Sequence, residues 1–94
     1  MSKMNFYQEA INTFGAYAQL LVAAEECSEL SASILHYIRF SEPEYKVKVE
    51  EEIADVILMI NQLFLLFDKD SINYFKTEKI KRLVSRIKEA QRNG

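Results

Sequence analysis

The chain contains very few residues of the kinds that interrupt helices. Its 94 residues include two glycines, Gly15 and Gly94, and one proline, Pro43. A sheet of many short strands needs frequent turns, and turns use glycine and proline heavily. The sequence therefore predicts an all-α fold in which a few long helices are joined by short connections.

Apolar residues recur every three or four positions along the chain, which predicts four helices. The first is a short amphipathic helix over residues 3–13, and Gly15 breaks or kinks the chain after it. The second is long and covers residues 16–39. A linker follows, and the third helix begins as early as residue 42 and runs to about 67. The fourth ends near Arg92.

Two helix starts carry capping signals. Ser41 followed by Glu44 resembles a capping box, with Pro43 tolerated in the first turn of the third helix. Asp70 or Ser71 is predicted to cap the last helix.

The second helix is apolar nearly all round, apart from one polar strip. We expect its apolar stripe to face the core: Leu20, Ala23, Cys27, Leu30, Ile34 and Ile38. The polar strip beside it is predicted to face a cleft rather than open solvent: Gln19, Glu26, Glu29, Ser33 and His36. In the third helix, only Asn61 and Gln62 are polar between residues 56 and 67. We therefore expect that helix to be buried on more than one side, most simply by another copy of the chain.

The composition of the chain argues against several classes of function. A net charge of −2 argues against a non-specific nucleic-acid binder. No apolar run approaches 18 residues, which argues against a membrane span. The single cysteine, Cys27, rules out an internal disulfide and favours a reducing compartment. We expect one cytoplasmic domain over residues 1–94, without an N-terminal signal peptide.

Two acidic pairs lie on the two most apolar helices. Glu26 and Glu29 are three residues apart, as are Glu52 and Asp55, so each pair shares one face of its helix. An isolated pair of this kind is usually a solvated surface feature. Here the spacing occurs twice, on consecutive helices that a short linker would make antiparallel. Four carboxylates brought together in an apolar setting repel one another strongly, which predicts a bound cation.

The ligand types narrow the choice of metal. Carboxylates suit Mg²⁺, Mn²⁺ or Ca²⁺. A structural zinc site would use Cys and His, and a di-iron bundle would use Glu-x-x-His pairs. Mg²⁺ commonly completes its shell with water and substrate phosphates. We therefore expect Mg²⁺, with Mn²⁺ as the alternative, and a polyphosphate ligand.

Other residues have two interpretations each. His36 lies on nearly the same face as Glu29 and either touches substrate or is structural. Cys27 is predicted to be a buried, inert thiol. Lys79 and Arg82 border the apolar stripe of the last helix, where they either bind phosphate oxygens or belong to a solvated basic face.

The two motifs resemble a known family. Glu26-x-x-Glu29, a gap of 22 residues, and Glu52-x-x-Asp55 are similar to the ExxE…ExxD signature of the all-α, MazG-like nucleoside triphosphate pyrophosphohydrolases. The strings Glu-Glu-x-x-Glu-Leu and Glu-Glu-Ile-Ala-Asp-Val are typical of that family. The resemblance covers nearly the whole chain and is greatest to short, single-domain forms met in phages and Gram-positive bacteria.

The resemblance implies a four-helix MazG-like bundle, with a short first helix, two long motif helices and a basic last helix, assembled as a dimer or tetramer. It implies Mg²⁺-dependent cleavage of the α–β phosphate bond of an NTP or dNTP, giving a monophosphate and pyrophosphate. It assigns the metal ligands: Glu26, Glu29, Glu52 and Asp55. Glu26 and Glu29 are also the first candidates for the catalytic base, and Lys79 and Arg82 become phosphate contacts. Longer members carry an asparagine near that lysine, and Asn73 lies too early to match it.

Two alternatives stay open. One is a catalytically silent dimerisation or regulatory module with the same fold. The other is a related substrate, such as phosphoribosyl-ATP.

Overall fold

A computed structural model describes residues 5–94, which form four α-helices and no strand. The helices are α1 (Phe6–Phe14), α2 (Ala16–Phe40), α3 (Pro43–Leu66) and α4 (Lys69–Asn93). The predicted all-α class is confirmed, and the helix boundaries are close to those that the apolar spacing indicates. Residues 3 and 4, which the sequence assigns to the first helix, lie outside the described residues.

The connections are very short, and each has a local cause. Asn5 caps α1, because its side chain accepts a hydrogen bond of 2.7 Å from the backbone N–H of Tyr7. Gly15 has a φ of 93°, where an L side chain would be strained, so it allows α2 to begin immediately after α1.

Both predicted caps are wrong by one to three residues. Ser41 closes α2 in a left-handed conformation, with a φ of 53°, and Glu42 is the N-cap of α3. Asp68, rather than Asp70 or Ser71, caps α4, because its side chain accepts bonds from the N–H groups of both. With only two residues between consecutive helices, Ser41 is needed to end α2 and cannot also start α3.

Helices α2 and α3 form an antiparallel hairpin. Phe40 stacks on Tyr45 near the connection, whereas Glu26 meets Asp55 farther along both helices. Helix α1 packs across the hairpin. The small buried apolar core consists of Ile11, Ala23 and Met59.

The buried residues of α2 come from both predicted strips, because Ala23 of the apolar stripe is buried together with part of the polar strip. Gln19 and Ser33 are buried and Glu26 is half-buried, as expected for residues that face a cleft. By contrast, the predicted buried thiol of Cys27 is exposed. Ile34 and Ile38 are exposed as well, because no part of residues 5–94 covers that side of α2.

Helix α4 does not complete a four-helix bundle within the chain. It has no buried residue and only marginal contact with the other helices in the described part of the chain. The radius of gyration is 17.2 Å, whereas a compact domain of this length would have about 12 Å. The chain is thus a three-helix unit with a projecting fourth helix. No helix of residues 5–94 combines the length and apolarity needed to cross a membrane.

Candidate metal centre

Three of the four predicted ligands converge between α2 and α3. One carboxylate oxygen from each of Glu26, Glu52 and Asp55 lies within 4.8 Å of the other two. Glu52 and Asp55 are one turn apart on α3, and the antiparallel packing places Glu26 opposite them. The i, i+3 spacing therefore has the structural consequence that the sequence predicts.

Two of these carboxylates have oxygens that are buried and unsatisfied. Glu52 is 2% exposed; its Oε1 accepts a bond of 2.9 Å from Lys48 Nζ. Within residues 5–94, Glu52 Oε2 and Glu26 Oε2 are buried without a hydrogen-bond donor. An unpartnered buried acceptor is costly, and more so when it is ionised. The three-carboxylate group therefore fits a hard divalent cation, which would supply the missing partner for both oxygens.

The pKa values of Glu26 and Glu52 are shifted in opposite directions. Removal from water, together with the negative charge of Asp55, raises the pKa of Glu26 to about 7. The hydrogen bond from Lys48 lowers the pKa of Glu52, despite the burial of that group. Of these two carboxylates, Glu26 is therefore the one whose ionised form the cluster destabilises.

Glu29, the fourth predicted ligand, flanks the group. It lies one turn along α2 from Glu26 and is exposed. Its negative charge contributes to the raised pKa of Glu26. Glu29 is therefore a neighbour of the cluster with an accessible carboxylate.

A cavity opens on each side of the cluster. The first, of about 220 Å³, reaches α1. It is lined by Phe6, Tyr7, Ala10, Val22, Glu26, Asp55, Leu58, Met59 and Gln62. The second, of about 290 Å³, opens toward the α2–α3 connection. It is lined by Glu29, Ala32, Ser33, His36, Lys48 and Glu52. Each cavity has two acidic side chains in its lining, and the second also contains the ammonium group of Lys48.

Sequence reasoning missed two residues of these cavities. Lys48 precedes Glu52 by one helical turn, a spacing typical of an ion pair. Gln62 follows Asp55 by seven residues and so shares its face of α3. Gln62 is 8% exposed, and its Oε1 is buried without a donor in the described chain. Both residues could be predicted from the sequence by counting helical turns from Glu52 and Asp55.

The remaining candidate residues lie away from the acid cluster, except His36, which lines the second cavity. His36 lines the second cavity and also contacts the rings of Phe40 and Tyr45. Lys79 and Arg82 line neither cavity beside the cluster, because they lie on the projecting α4. Asn73 lines a separate cavity with Asn61.

Comparison with known proteins finds no matching family model, curated protein or solved structure.

The raised pKa of Glu26 predicts a pH-dependent gain in stability for Glu26→Gln. In the metal-free protein, folding is opposed by this group above its ordinary pKa of 4.5, and the opposition is complete above about 7. Thermal unfolding in EDTA should show a higher melting temperature for the variant at pH 8 and little difference at pH 5. Glu25→Gln, an exposed neighbour, is the control. Equal shifts at both pH values would contradict the assigned repulsion.

The ion pair at Glu52 predicts that Lys48→Met binds a bare divalent cation more tightly. Removing a positive charge beside the cluster should raise Mn²⁺ affinity by about tenfold. Electron paramagnetic resonance of free Mn²⁺ measures this. Lys46→Met is the matched control, because Lys46 pairs with Glu50, an exposed residue outside the cluster. Unchanged Mn²⁺ affinity in Lys48→Met would show that the cation does not bind at Glu52.

Proposed function

We propose that this chain is a Mg²⁺-dependent nucleoside triphosphate pyrophosphohydrolase of the MazG-like type, which works as a homodimer or homotetramer. The observation that carries the proposal is the convergence of Glu26, Glu52 and Asp55 between two cavities, with two buried oxygens left without donors among the described residues. A polyphosphate ligand that brings Mg²⁺ would satisfy those oxygens.

The acidic residues would have two roles, which are metal binding and proton acceptance. Glu26, Glu52 and Asp55 would hold Mg²⁺, with Glu29 as the flanking acid. The metal would neutralise the phosphate charge, polarise the α-phosphorus and lower the pKa of a bound water. Glu29, which is exposed beside the cluster, would accept the proton of the attacking water. Attack of the water oxygen on the α-phosphorus breaks its bond to the bridging oxygen, and pyrophosphate leaves.

The two cavities would separate the ends of the substrate. The aromatic rings of Phe6 and Tyr7, with Met59 and the amide of Gln62, provide a surface for a flat base and one buried polar group to read it. On the other side, Lys48 would meet the negative phosphates. This arrangement would hold the base beside the aromatic rings and the phosphates near the one ammonium group that lines the second cavity.

One observation favours the alternative of a catalytically silent module. The ion pair between Lys48 and Glu52 already neutralises part of the cluster without a metal. A protein relieved of catalysis could keep such a pair for stability. It would then bind Mn²⁺ weakly and hydrolyse no nucleotide.

Product analysis tests the proposed reaction. Incubation with a panel of NTPs and dNTPs, Mg²⁺ and ¹⁸O-labelled water should give monophosphate and pyrophosphate, with the label in the monophosphate. Glu29→Gln should lower kcat by about 100-fold or more, because the proton acceptor is lost. Glu25→Gln, the adjacent exposed acid, should leave kcat within about twofold. Formation of diphosphate and orthophosphate, or no turnover with any nucleotide, would refute the proposal.

The buried amide of Gln62 predicts a role in base selectivity. Gln62→Leu should lower kcat/KM for the preferred nucleotide by about tenfold, the value of one lost hydrogen bond. The difference between bases should shrink by a similar factor. Competition assays between pairs of nucleotides measure it, with Gln8→Leu on α1, outside the cavity, as control. Unchanged discrimination would place the base elsewhere.

A further inference from the structure

A third cavity, of about 420 Å³, lies where the start of α1, the end of α3 and the start of α4 come together. Its size is within the range of small-molecule sites, which is about 300–1,000 Å³. Tyr7 lines both this cavity and the first cavity beside the acid cluster, so the two are neighbours. The third cavity has no role in the proposed reaction.

The third cavity differs in charge from the two cavities beside the cluster. Each of those has two acidic side chains in its lining, whereas no acidic side chain of residues 5–94 lines the third, which contains the ammonium group of Lys69. Lys69 forms no ion pair within the described chain. The carboxylate of the adjacent Asp68 instead accepts hydrogen bonds from the backbone N–H groups of Asp70 and Ser71. An ammonium group without a competing acid favours an anionic ligand.

Most of the unused polar groups in the third cavity are hydrogen-bond donors. Asn61 Nδ2 donates to the hydroxyl oxygen of Tyr7 at 3.2 Å and to the carbonyl oxygen of Ile57 at 3.1 Å. Because a carbonyl only accepts, the second bond fixes the Asn61 amide, and the first leaves the hydroxyl proton of Tyr7 available. Asn5 uses its Oδ1 to cap α1, so its Nδ2 keeps two protons to donate. These donors, together with Lys69, favour a ligand that is rich in acceptor oxygens.

The rest of the lining is apolar and partly aromatic. Phe64 and Leu65 line the cavity beside the ring of Tyr7. Phe64 and Tyr7 are half-buried, so both rings are held by the protein and are still accessible to a ligand. Flat unsaturated groups pack well against such rings. The lining therefore fits a ligand that joins an anionic group to a flat ring.

We propose that the third cavity is a metal-independent site for a small organic anion in which a phosphate or carboxylate is joined to a flat ring. Lys69 binds the anionic group, and the donors of Tyr7 and Asn5 bind its remaining oxygens. The ring packs against Phe64, and the amide of Asn73, which lines the same cavity, binds its polar edge. Because no carboxylate of the described residues lines the cavity, the ligand needs no divalent cation to enter. The proposal does not depend on the proposed function.

Titration in EDTA tests the site without any activity. The probes are AMP, an organic phosphate, and benzoate, an aromatic carboxylate, each added to the ¹⁵N-labelled full chain. At least one probe should shift the side-chain amide signals of Asn61 and Asn73 and leave the backbone signal of Ser33, in the second cavity, unchanged. The probe that binds more tightly identifies the anionic group. No shift with either probe, or shifts that require Mg²⁺, would overturn the proposal.

Matched lysine variants test the cationic contact. Lys69→Met should weaken binding of the tighter probe by about tenfold or more, because a hydrogen bond to a charged group is lost. Lys76→Met removes an exposed lysine of the same helix that does not line the cavity, and it should bind the probe within about twofold of wild type. Equal weakening in both variants would show a general effect of charge and contradict a site at Lys69.

The aromatic contact has a test of its own. Phe64→Leu keeps an apolar side chain but removes the ring, so it should weaken binding of the tighter probe several-fold. Binding of inorganic phosphate, which has no ring, should be the same in this variant and in wild type. Equal affinity of wild type and Phe64→Leu for the probe would contradict the proposed contact with the ring.

The outcome is separate from that of the proposed reaction. If no nucleotide is hydrolysed but a probe binds in EDTA at Asn61 and Asn73, the proposed function fails and the third site stands. If nucleotides are hydrolysed but those two amide signals do not respond in EDTA, the third site fails alone.

Discussion

The main constraint on this structure is that carboxylates which repel one another lie close together in a partly dehydrated cleft. Glu26, Glu52 and Asp55 approach one another because α2 and α3 pack along the faces that carry them. The chain relieves this repulsion in part through Lys48 and in part by the raised pKa of Glu26. Neither provides a donor for the two buried oxygens, Glu26 Oε2 and Glu52 Oε2, and the proposed cation would be their partner.

The same packing buries several polar side chains inside the chain and leaves many large apolar side chains exposed. The inner face of α2 carries Gln19, Glu26 and Ser33, whereas Leu35 and Ile38 face outward. Burying polar side chains inside a small unit reduces the apolar area that can be buried there. The interior position of the acid cluster and the exposure of these apolar side chains are therefore two results of the same packing.

The helices could be predicted from the sequence because apolar spacing and the scarcity of Gly and Pro are local signals. The convergence of Glu26 with Asp55 could be predicted as well, because a short linker forces two long helices to be antiparallel. The cap predicted at Ser41 is wrong because Ser41 ends α2 in a two-residue connection. The cap predicted at Asp70 or Ser71 is wrong because α4 begins earlier, after Asp68. The isolation of α4 could not be predicted, because an amphipathic pattern shows that a face will be buried but not which surface will bury it. Lys48 and Gln62 were missed because their meaning depends on the acids beside them.

The central claim is that a divalent cation binds where the three carboxylates meet. Crystals soaked in Mn²⁺, with diffraction recorded near the manganese edge, test it directly. The account predicts an anomalous peak among Glu26, Glu52 and Asp55, within normal bonding distance of their oxygens and absent in Glu52→Gln crystals. Ordered carboxylates without a peak, or a peak that persists in Glu52→Gln, would contradict it.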